Sequence, residues 1–339
     1  MPSSQPETRS GRPVHAARPD LPTLLVLEAD PAAGKPSPRL GRLTGRARIR
    51  TTDAAGLAAE LPAADALLVW DFTSEAVRDA WPGEGPRPRW VHTASAGVDR
   101  LLCPPLVASD TVVTNARGIF EEPIAEYVAA LVLAMAKDLP GTLDLQRQRR
   151  WRHREGLRVA DSRAVVIGSG PIGRTVARTL RSLGATVAVT GRTARPGVYG
   201  ADQLDRLVTR ADWVIGAAPL TDATKGMFDA RLFGLMQPSA RFINVGRGGQ
   251  VVERDLAAAV SKRWIAGAAV DVFEHEPLDA RSPLWDVPGL IVSPHMSGDT
   301  VGWCDRLGEQ FVELYGLWSA GKPLLNVVDK KRGYVPMHD

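Results

Sequence analysis

The sequence predicts an α/β protein with two doubly wound parallel sheets, one in each half of the chain. From Thr23 onward, short apolar or β-branched runs alternate with segments of helical periodicity, a pattern typical of parallel strands covered by helices. A second alternation follows a G-x-G-x-x-G turn that connects a short apolar strand to a helix. The 339 residues are enough for two domains that each bury their own core.

The first half is expected to form a small α/β domain. Its helical candidates are Ala54–Glu60 and Ser74–Ala80, the second of which Ser74 would cap. A helix from Pro123 to about Ala136 follows, and it is apolar nearly all round, so we expect it to be buried between domains or against a partner subunit. The predicted strands are Thr23–Leu27, Ala47–Thr51, Ala66–Trp70, Arg89–Thr93 and Thr111–Thr114.

The second half repeats the alternation after a polar connecting arm, Gln146–Arg163. Asp299–Ala320 is predicted to be one long helix, with Val301 to Trp318 contributing an apolar side. Such a helix would return to cover the first domain, and two crossings between domains make a hinge and a cleft. The predicted strands are Thr186–Thr190, Trp213–Gly216, Arg241–Val245, Gly267–Val270 and Leu290–Val292, with helices at Ala201–Val208 and Glu253–Val260 and a turn near Asp229–Leu235.

Composition argues against several classes of function. The net charge of +4 is too small to indicate a nucleic-acid partner, and the basic run Arg147–Arg154 carries no recognition motif. No run approaches the roughly 18 apolar residues of a membrane span. The two cysteines, Cys103 and Cys304, are far apart and near no spaced histidines, which predicts neither disulfides nor a zinc site and fits the reducing cytoplasm.

The N-terminal residues 1–20 differ from the rest in composition. They are rich in proline, serine and arginine and lack the apolar core of a secretory signal. We interpret them as a disordered leader, with a transit peptide as a minor alternative.

The glycine turn predicts a dinucleotide site. Gly168 would let the chain turn, Gly170 would let the backbone approach a pyrophosphate, and Gly173 would let helix and strand pack closely. The start of the helix, Pro171 and Ile172, would present free N–H groups to the phosphates, and proline fits a first helical position.

Polar residues follow three predicted strands of the second half, at the edge where open α/β sheets bind ligands. Arg247 is either a two-pronged clamp for a carboxylate or an exposed loop arginine. His295 would suit a general acid if a carboxylate held one tautomer of its ring. Glu274, His275 and Glu276 compete for such roles, and their spacing does not choose among them. The cluster lacks the i, i+4 spacing of a helical metal site, so no metal is expected.

In the first half, the small residues Ser95, Ala96 and Gly97 follow a strand and lead toward a short helix. Their backbone N–H groups would be free to hold an anion. The alternative is a purely structural turn between strand and helix.

Six motifs follow one another along the chain: Ser95–Asp99, Thr114–Gly118 with Ala125–Tyr127, Gly168–Gly173, Asn244–Gly248, Asp271–Phe273 with Glu276–Leu278, and Ser293–His295. With them the chain, from about Leu24 to Val328, resembles the D-isomer-specific 2-hydroxyacid dehydrogenase family. The resemblance implies a flavodoxin-like substrate domain, residues 21–117 and 297–339, split around an inserted Rossmann cofactor domain, residues 118–296. It also implies a homodimer formed through the cofactor domain.

The resemblance implies a role for each site residue. Arg247 would hold the carboxylate and carbonyl of a 2-oxo acid, together with backbone groups of Ser95–Gly97. His295 would donate a proton to the carbonyl oxygen, Glu276 would pair with His295, and Asp271 would support that network from behind. It thereby favours Glu276 over its two neighbours.

The end of the second Rossmann strand predicts the cofactor. In place of an acidic residue that would bind ribose hydroxyls, the chain has Arg192, Thr193 and Arg195. An arginine fork and a hydroxyl would bind a 2′-phosphate, so NADPH is the predicted preference, with NAD possible. The alternative is a pair of solvated loop arginines.

The predicted function is therefore NADPH-preferring reduction of a 2-oxo acid of the glyoxylate or hydroxypyruvate type to the D-2-hydroxy acid. The alternatives are the same chemistry on a bulkier 2-oxo acid and a non-catalytic, dinucleotide-sensing interaction protein. Glu276 argues against formate oxidation, where related enzymes have glutamine. Arg117 stands where the family commonly has proline and is expected to enlarge or charge the cleft.

Overall fold

Two parallel sheets organise the chain. The computed structural model describes residues 21–29 and 36–336, so the expected leader lies outside the described residues. The first sheet contains β1 (Thr23–Leu27), β2 (Arg48–Thr52), β3 (Ala66–Val69), β4 (Trp90–Thr93) and β5 (Val112–Asn115). Its order, β2-β1-β3-β4-β5, is the flavodoxin-like order.

The second sheet has six strands in the order β11-β10-β9-β8-β6-β7. Strand β6 lies next to the edge strand β7 and pairs with β8 on its other side, so the order reverses beside β6 and forms the crevice where doubly wound sheets bind ligands. The strands are β6 (Arg163–Ile167), β7 (Thr186–Thr190), β8 (Trp213–Gly216), β9 (Arg241–Asn244), β10 (Gly267–Val270) and β11 (Leu290–Val292). The predicted fold class of two parallel α/β sheets is confirmed.

Short helices flank the first sheet: α1 (Leu57–Glu60), α2 (Ala76–Ala80) and α3 (Pro104–Ala108). Helix α1 begins three residues later than predicted, because the Asp53 carboxylate accepts a hydrogen bond from Gly56 N–H at 2.8 Å and holds a turn there. The N-cap of α2 is Glu75 rather than the predicted Ser74, and the helix begins at Ala76; the Ser74 hydroxyl accepts from Ala76 N–H at 3.0 Å in the turn just before the helix.

Helix α4 (Glu121–Ala136) lies at the junction of the two sheets and packs along α6 (Pro171–Ser182). One continuous cluster of buried apolar side chains runs from the first sheet through Val128 and Val132 of α4 to the second sheet. The apolar character of α4 therefore serves the contact between the two halves of the chain. Among the described residues, none of the helices combines the length and apolarity needed to cross a bilayer.

The segment after α4 differs from the prediction. A helix, α5 (Leu139–Arg147), occupies the start of the expected polar arm, and Asp138 caps it by accepting from Gly141 N–H at 3.2 Å. The remaining helices are α7 (Leu204–Val208), α8 (Ala230–Leu235), capped by Asp229, α9 (Glu253–Ser261) and α10 (Trp303–Ser319).

Helix α10 begins four residues later than predicted. Gly302 has a left-handed φ of 79°, which interrupts the helical path, and Val301 before it is fully exposed rather than part of the apolar side. The rest of that side packs on the first sheet, where the Phe311 ring stacks on Trp90 of β4 with centroids 5.2 Å apart. The domain limits at 117/118 and 296/297 stay a prediction.

A buried histidine in β4 predicts sensitivity to acid. His92 is fully buried, its Nδ1 lies 2.9 Å from Thr114 Oγ1, and its Nε2 meets no hydrogen-bond partner among the described residues. Burial lowers the pKa of His92 from 6.5 to about 3. The unfolded chain therefore takes up this proton first as pH falls, and the folded state loses stability from about pH 6.5 downward, by roughly 2 kcal/mol at pH 5.

His92→Phe should flatten the dependence of the free energy of unfolding on pH between pH 4 and 6.5, as measured by urea denaturation. His153→Gln, at an exposed histidine, is the matched control and should leave that dependence unchanged. An unaltered slope in His92→Phe would contradict the assignment.

Candidate active site

The glycine turn after β6 has the geometry that a dinucleotide requires. Gly168 has a φ of 124°, and a Cβ there would lie 2.5 Å from the carbonyl oxygen of Ala217. A Cβ on Gly173 would lie 1.9 Å from the carbonyl oxygen of Gly168, so only glycine lets helix and strand pack here. A Cβ on Gly170 would meet nothing within 4 Å, and Pro171 and Ile172 open α6 beside this space. The turn fits a pyrophosphate at the helix N-terminus.

The loop after β7 is basic and lies against the same turn. Arg195 donates from Nη2 to the hydroxyl of Ser169, inside the glycine motif, at 3.0 Å. Arg192 and Thr193 are exposed, and in the described part of the chain Arg192 forms no ion pair. Arg174, which sequence reasoning missed, donates to the Ser169 carbonyl at 3.1 Å.

Arg247 follows β9 and reaches the first sheet. Its Nε donates to Asp99 Oδ1 at 2.9 Å, and its Nη1 donates to the Gly246 carbonyl at 2.8 Å. Its Nη2 lies over Gly97, where a Cβ would come within 1.7 Å of it. The guanidinium is thus held by two bonds, with one terminal nitrogen left against the loop after β4.

That loop presents unused backbone donors. The N–H groups of Ser95, Ala96 and Gly97 donate to no acceptor among the described residues. The loop is shaped by other bonds, since the Ser95 hydroxyl donates to the Gly97 carbonyl at 2.6 Å and the Ala96 carbonyl accepts from Asn115 at 2.6 Å. An anion could therefore contact free N–H groups and Arg247 together.

His295 and Glu276 form a pair on the loops after β11 and β10. The imidazole Nδ1 of His295 lies 2.9 Å from Glu276 Oε2, and Glu276 Oε1 accepts from Phe273 N–H at 3.0 Å. Burial alone would raise the pKa of Glu276, but the hydrogen bond and charge of His295, with smaller effects of Phe273 N–H and Arg100, hold the pKa below its usual range. The carboxylate is therefore ionised at neutral pH and can only accept, so the imidazole Nδ1 of His295 is the donor in this hydrogen bond.

Asp271 holds the His295 loop from beneath. Its buried carboxylate accepts from the Ser293 hydroxyl at 2.6 Å and from the N–H groups of Met296 and Ser297 at 2.9 Å each, and its carbonyl accepts from His295 N–H at 2.8 Å. His295 has a left-handed φ of 53°, which for a residue other than glycine costs of order 1 kcal/mol. These bonds to Asp271 maintain that conformation, and its carboxylate contacts the Ser293 hydroxyl and backbone N–H groups rather than the imidazole ring.

Of the three neighbouring candidates for the partner of His295, two do not take that position. Glu274 and His275 are both exposed, and Glu276 is the member of the three that contacts His295. Arg117 donates from Nη1 to the Pro336 carbonyl at 3.3 Å, which ties it to the C-terminal segment. Within the described ranges, no three histidine, cysteine or acidic side chains are grouped as metal ligands.

Sequence reasoning missed Arg100. Its Nη2 donates to Glu276 Oε2 at 3.2 Å, and its Nη1 donates to the Thr73 carbonyl. No motif marked Arg100, and only its position beside Ser95–Asp99 pointed to this region.

Comparisons with known proteins agree on one family. Residues 129–297 match the family model described as D-isomer specific 2-hydroxyacid dehydrogenase, NAD binding domain. Glyoxylate/hydroxypyruvate reductase A of Photorhabdus laumondii subsp. laumondii is 33% identical over 216 residues, which cover 62% of this chain and 68% of that protein.

Two solved structures are similar over nearly the whole chain. NADPH-dependent glyoxylate/hydroxypyruvate reductase of Sinorhizobium meliloti, in complex with NADP and sulfate, is 28% identical with a TM-score of 0.77, over 93% of this chain and 100% of that one. A D-isomer specific 2-hydroxyacid dehydrogenase of Xanthobacter autotrophicus Py2, in complex with NADPH and MES, is 29% identical with a TM-score of 0.74, over 93% and 100%.

Proposed function

Because the chain belongs to the D-isomer specific 2-hydroxyacid dehydrogenase family and is an NAD(P)-dependent dehydrogenase, we propose that it reduces a 2-oxo acid of the glyoxylate or hydroxypyruvate type to the D-2-hydroxy acid, with NADPH preferred. The observation that carries the proposal is that the loop after β4, with the free N–H groups of Ser95–Gly97, contacts both Arg247 and the Glu276 partner of His295. There the carboxylate of a 2-oxo acid would meet hydrogen-bond donors, and its carbonyl oxygen would meet His295 as a proton donor.

Arg247 and the loop after β4 recognise the 2-oxo acid. The guanidinium keeps Nη2 for the substrate, and the N–H groups of Ser95, Ala96 and Gly97 take the other edge of the carboxylate. Charge-assisted bonds of this kind fix the plane of the carboxylate and thereby the orientation of the adjacent carbonyl.

His295 supplies the proton. Nδ1 is engaged by the ionised Glu276, which leaves Nε2 to donate to the carbonyl oxygen as that oxygen becomes negative. The bound nicotinamide supplies the hydride that C2 accepts. In the reverse direction, neutral His295 takes the hydroxyl proton. Asp271 acts on the loop that places the imidazole, so its role is positional.

A substrate screen tests the proposal. NADPH oxidation should be measured with glyoxylate, hydroxypyruvate, pyruvate, phenylpyruvate and branched 2-oxo acids, and the highest kcat/KM is expected for glyoxylate or hydroxypyruvate. Phenylpyruvate or a branched acid in first place would favour the bulkier-substrate alternative. Cofactor binding without turnover on any of them would favour a sensing protein.

Cofactor preference has its own test. Wild-type enzyme should show a higher kcat/KM with NADPH than with NADH, because Arg192, Thr193 and Arg195 offer donors to a 2′-phosphate and no acidic residue stands at Gly191 or Arg192, directly after β7. Arg192→Ser should lower the NADPH-to-NADH ratio of kcat/KM by about 10- to 100-fold, the worth of one or two bonds to a charged group. Arg206→Ser, at an exposed arginine of α7, is the control. A higher kcat/KM of the wild type with NADH would contradict the predicted preference for NADPH.

We further propose that the protein is a homodimer in the cytoplasm, the location that its two cysteines predict. Helix α5 and the arm after it expose apolar side chains to an unusual degree, namely Leu139, Leu143, Trp151 and Leu157, with Leu133 of α4 beside them in the chain. A second copy would cover this patch.

Sedimentation of the wild type should give twice the mass of one chain. The double variant Leu143→Asp, Trp151→Asp should sediment with the mass of a single chain, whereas Leu325→Asp, at an exposed leucine outside the patch, should sediment like the wild type. A wild-type monomer at micromolar concentration would contradict this.

A further inference from the structure

Two consecutive residues of the loop after β4 contact two different catalytic candidates on the second sheet. Asp99 Oδ1 accepts from Arg247 Nε at 2.9 Å, and Arg100 Nη2 donates to Glu276 Oε2 at 3.2 Å. Both contacts span the cleft, since Arg247 follows β9 and Glu276 follows β10. Because Asp99 and Arg100 are adjacent in the chain, their ion pairs with Arg247 and Glu276 can both form only when the two sheets have the relative orientation seen here.

We propose that Asp99 and Arg100 are positioning residues that complete the active site from the first sheet, Asp99 by orienting Arg247 and Arg100 by sharing the Glu276 carboxylate with His295. The inference rests on the proposed function, because it takes Arg247, Glu276 and His295 as the substrate clamp and the proton donor. It goes further by assigning two residues to the reaction that act through those three.

Asp99 determines which nitrogen of Arg247 is free. With Nε bound to Asp99 and Nη1 bound to the Gly246 carbonyl, only Nη2 is directed at Gly97 and the free N–H groups of its loop. The side chains of Asp99 and Arg247 are 21% and 25% exposed, so water competes only in part for this bond. Without Asp99 the guanidinium loses one of two anchors and rotates away from the carboxylate position.

Arg100 and His295 use the same oxygen of Glu276. Oε2 lies 2.9 Å from His295 Nδ1 and 3.2 Å from Arg100 Nη2, while Oε1 is occupied by Phe273 N–H. Arg100 and the imidazole therefore share the negative charge of one carboxylate oxygen, and removing the Arg100 cation should strengthen the attraction between that oxygen and a proton on the imidazole.

The other charged groups nearby are committed to different partners. Asp271, from the end of β10, directs its carboxylate at Ser293 and at backbone N–H groups of the His295 loop. Arg247, from the loop after β9, is paired with Asp99. Among the described arginine and lysine side chains, Arg100 is therefore the one that forms an ion pair with the Glu276 carboxylate.

The pH profile of reduction tests Arg100. The alkaline limb of kcat/KM reports loss of the His295 proton, and in Arg100→Gln it should move up by about one pH unit, because a neighbouring positive charge has been removed. Arg100→Lys, which keeps the charge, should restore the wild-type profile. The control is Arg50→Gln. Arg50 lies in β2, the edge strand of the same sheet, and pairs with Glu60, so its loss should leave the alkaline limb of kcat/KM at the wild-type pH.

Substrate binding tests Asp99. Asp99→Leu should raise KM for the 2-oxo acid about tenfold or more, with a smaller fall in kcat and unchanged KM for NADPH, since one anchor of the clamp is lost. Asp99→Asn keeps an acceptor oxygen for Nε and should recover most of the affinity. Equal KM values in wild type and Asp99→Leu would overturn the role of Asp99.

A measurement without turnover separates this inference from the proposed function. The ionisation of the His295 imidazole should be followed by NMR in wild type and Arg100→Gln, with His295→Gln used to assign the signal, and the midpoint should rise in Arg100→Gln. If the wild type reduces no 2-oxo acid, the proposed function fails, whereas the NMR midpoint still decides the effect of Arg100 on His295. An unchanged midpoint and an unchanged alkaline limb would overturn the inference for Arg100.

Discussion

His295→Gln should lower kcat for 2-oxo acid reduction by about 10³- to 10⁴-fold, the upper part of the range for loss of a general acid. The imidazole is partly exposed with Nδ1 bound to Glu276, and glutamine keeps a polar amide in the same space without a proton that it can transfer. Steady-state kinetics at neutral pH measure the loss. The dissociation constant of NADPH, measured by fluorescence, should change less than about twofold, because His295 lies outside the glycine turn that would hold the cofactor phosphates.

The matched control is His275→Gln on the neighbouring loop. His275 is exposed and contacts neither Glu276 nor Arg100 through its ring in the described part of the structure, so its kcat should equal that of the wild type. Comparable activity in wild type and His295→Gln would remove His295 from the chemistry and reopen the choice of proton donor. Cofactor binding in both proteins without turnover in either would point instead to a dinucleotide-sensing protein.

Arg247→Met should lower kcat/KM for the 2-oxo acid by about 10³-fold. The two N–H groups of Nη2, the nitrogen that Asp99 and Gly246 leave free, would donate to the carboxylate and to the carbonyl oxygen of the substrate, and both charge-assisted bonds, each worth roughly 1.5–3 kcal/mol, are lost together. Arg247→Lys should recover only part of this activity, because an ammonium is a point charge that does not reproduce the planar fork. Initial-rate kinetics with varied 2-oxo acid provide the measurement, and KM for NADPH should stay close to the wild-type value.

Arg247→Met also leaves Asp99 without its partner, so the folded state needs a separate check. Thermal unfolding of the variant should remain cooperative, since the Asp99–Arg247 pair is partly exposed and contributes little to stability compared with the apolar cores. Arg254→Met, at a largely exposed arginine of α9, is the control for loss of one positive charge. Full activity in Arg247→Met would exclude Arg247 as the substrate clamp.

Local pattern predicted the strands well, because each buried parallel strand is a short β-branched or apolar run whose limits depend on its own residues. Of the ten strands with predicted limits, five match them, and five differ by one residue at one or both ends, namely β2, β3, β4, β5 and β9. Helix limits were less accurate. Helix α10 begins late at the left-handed Gly302, and α5 was missed, because both depend on how neighbouring loops hold the chain.

Local residue pattern is enough to predict the two alternating halves, the glycine turn and the polar residues at the strand ends, since each of these depends on near neighbours in the chain. The packing of the two sheets sets which groups meet. It brought Glu276 rather than Glu274 or His275 to His295, and it joined Asp99 to Arg247 across 148 residues and Arg100 to Glu276 across 176. Contacts over such separations depend on how two sheets pack against each other, and no local periodicity encodes that packing.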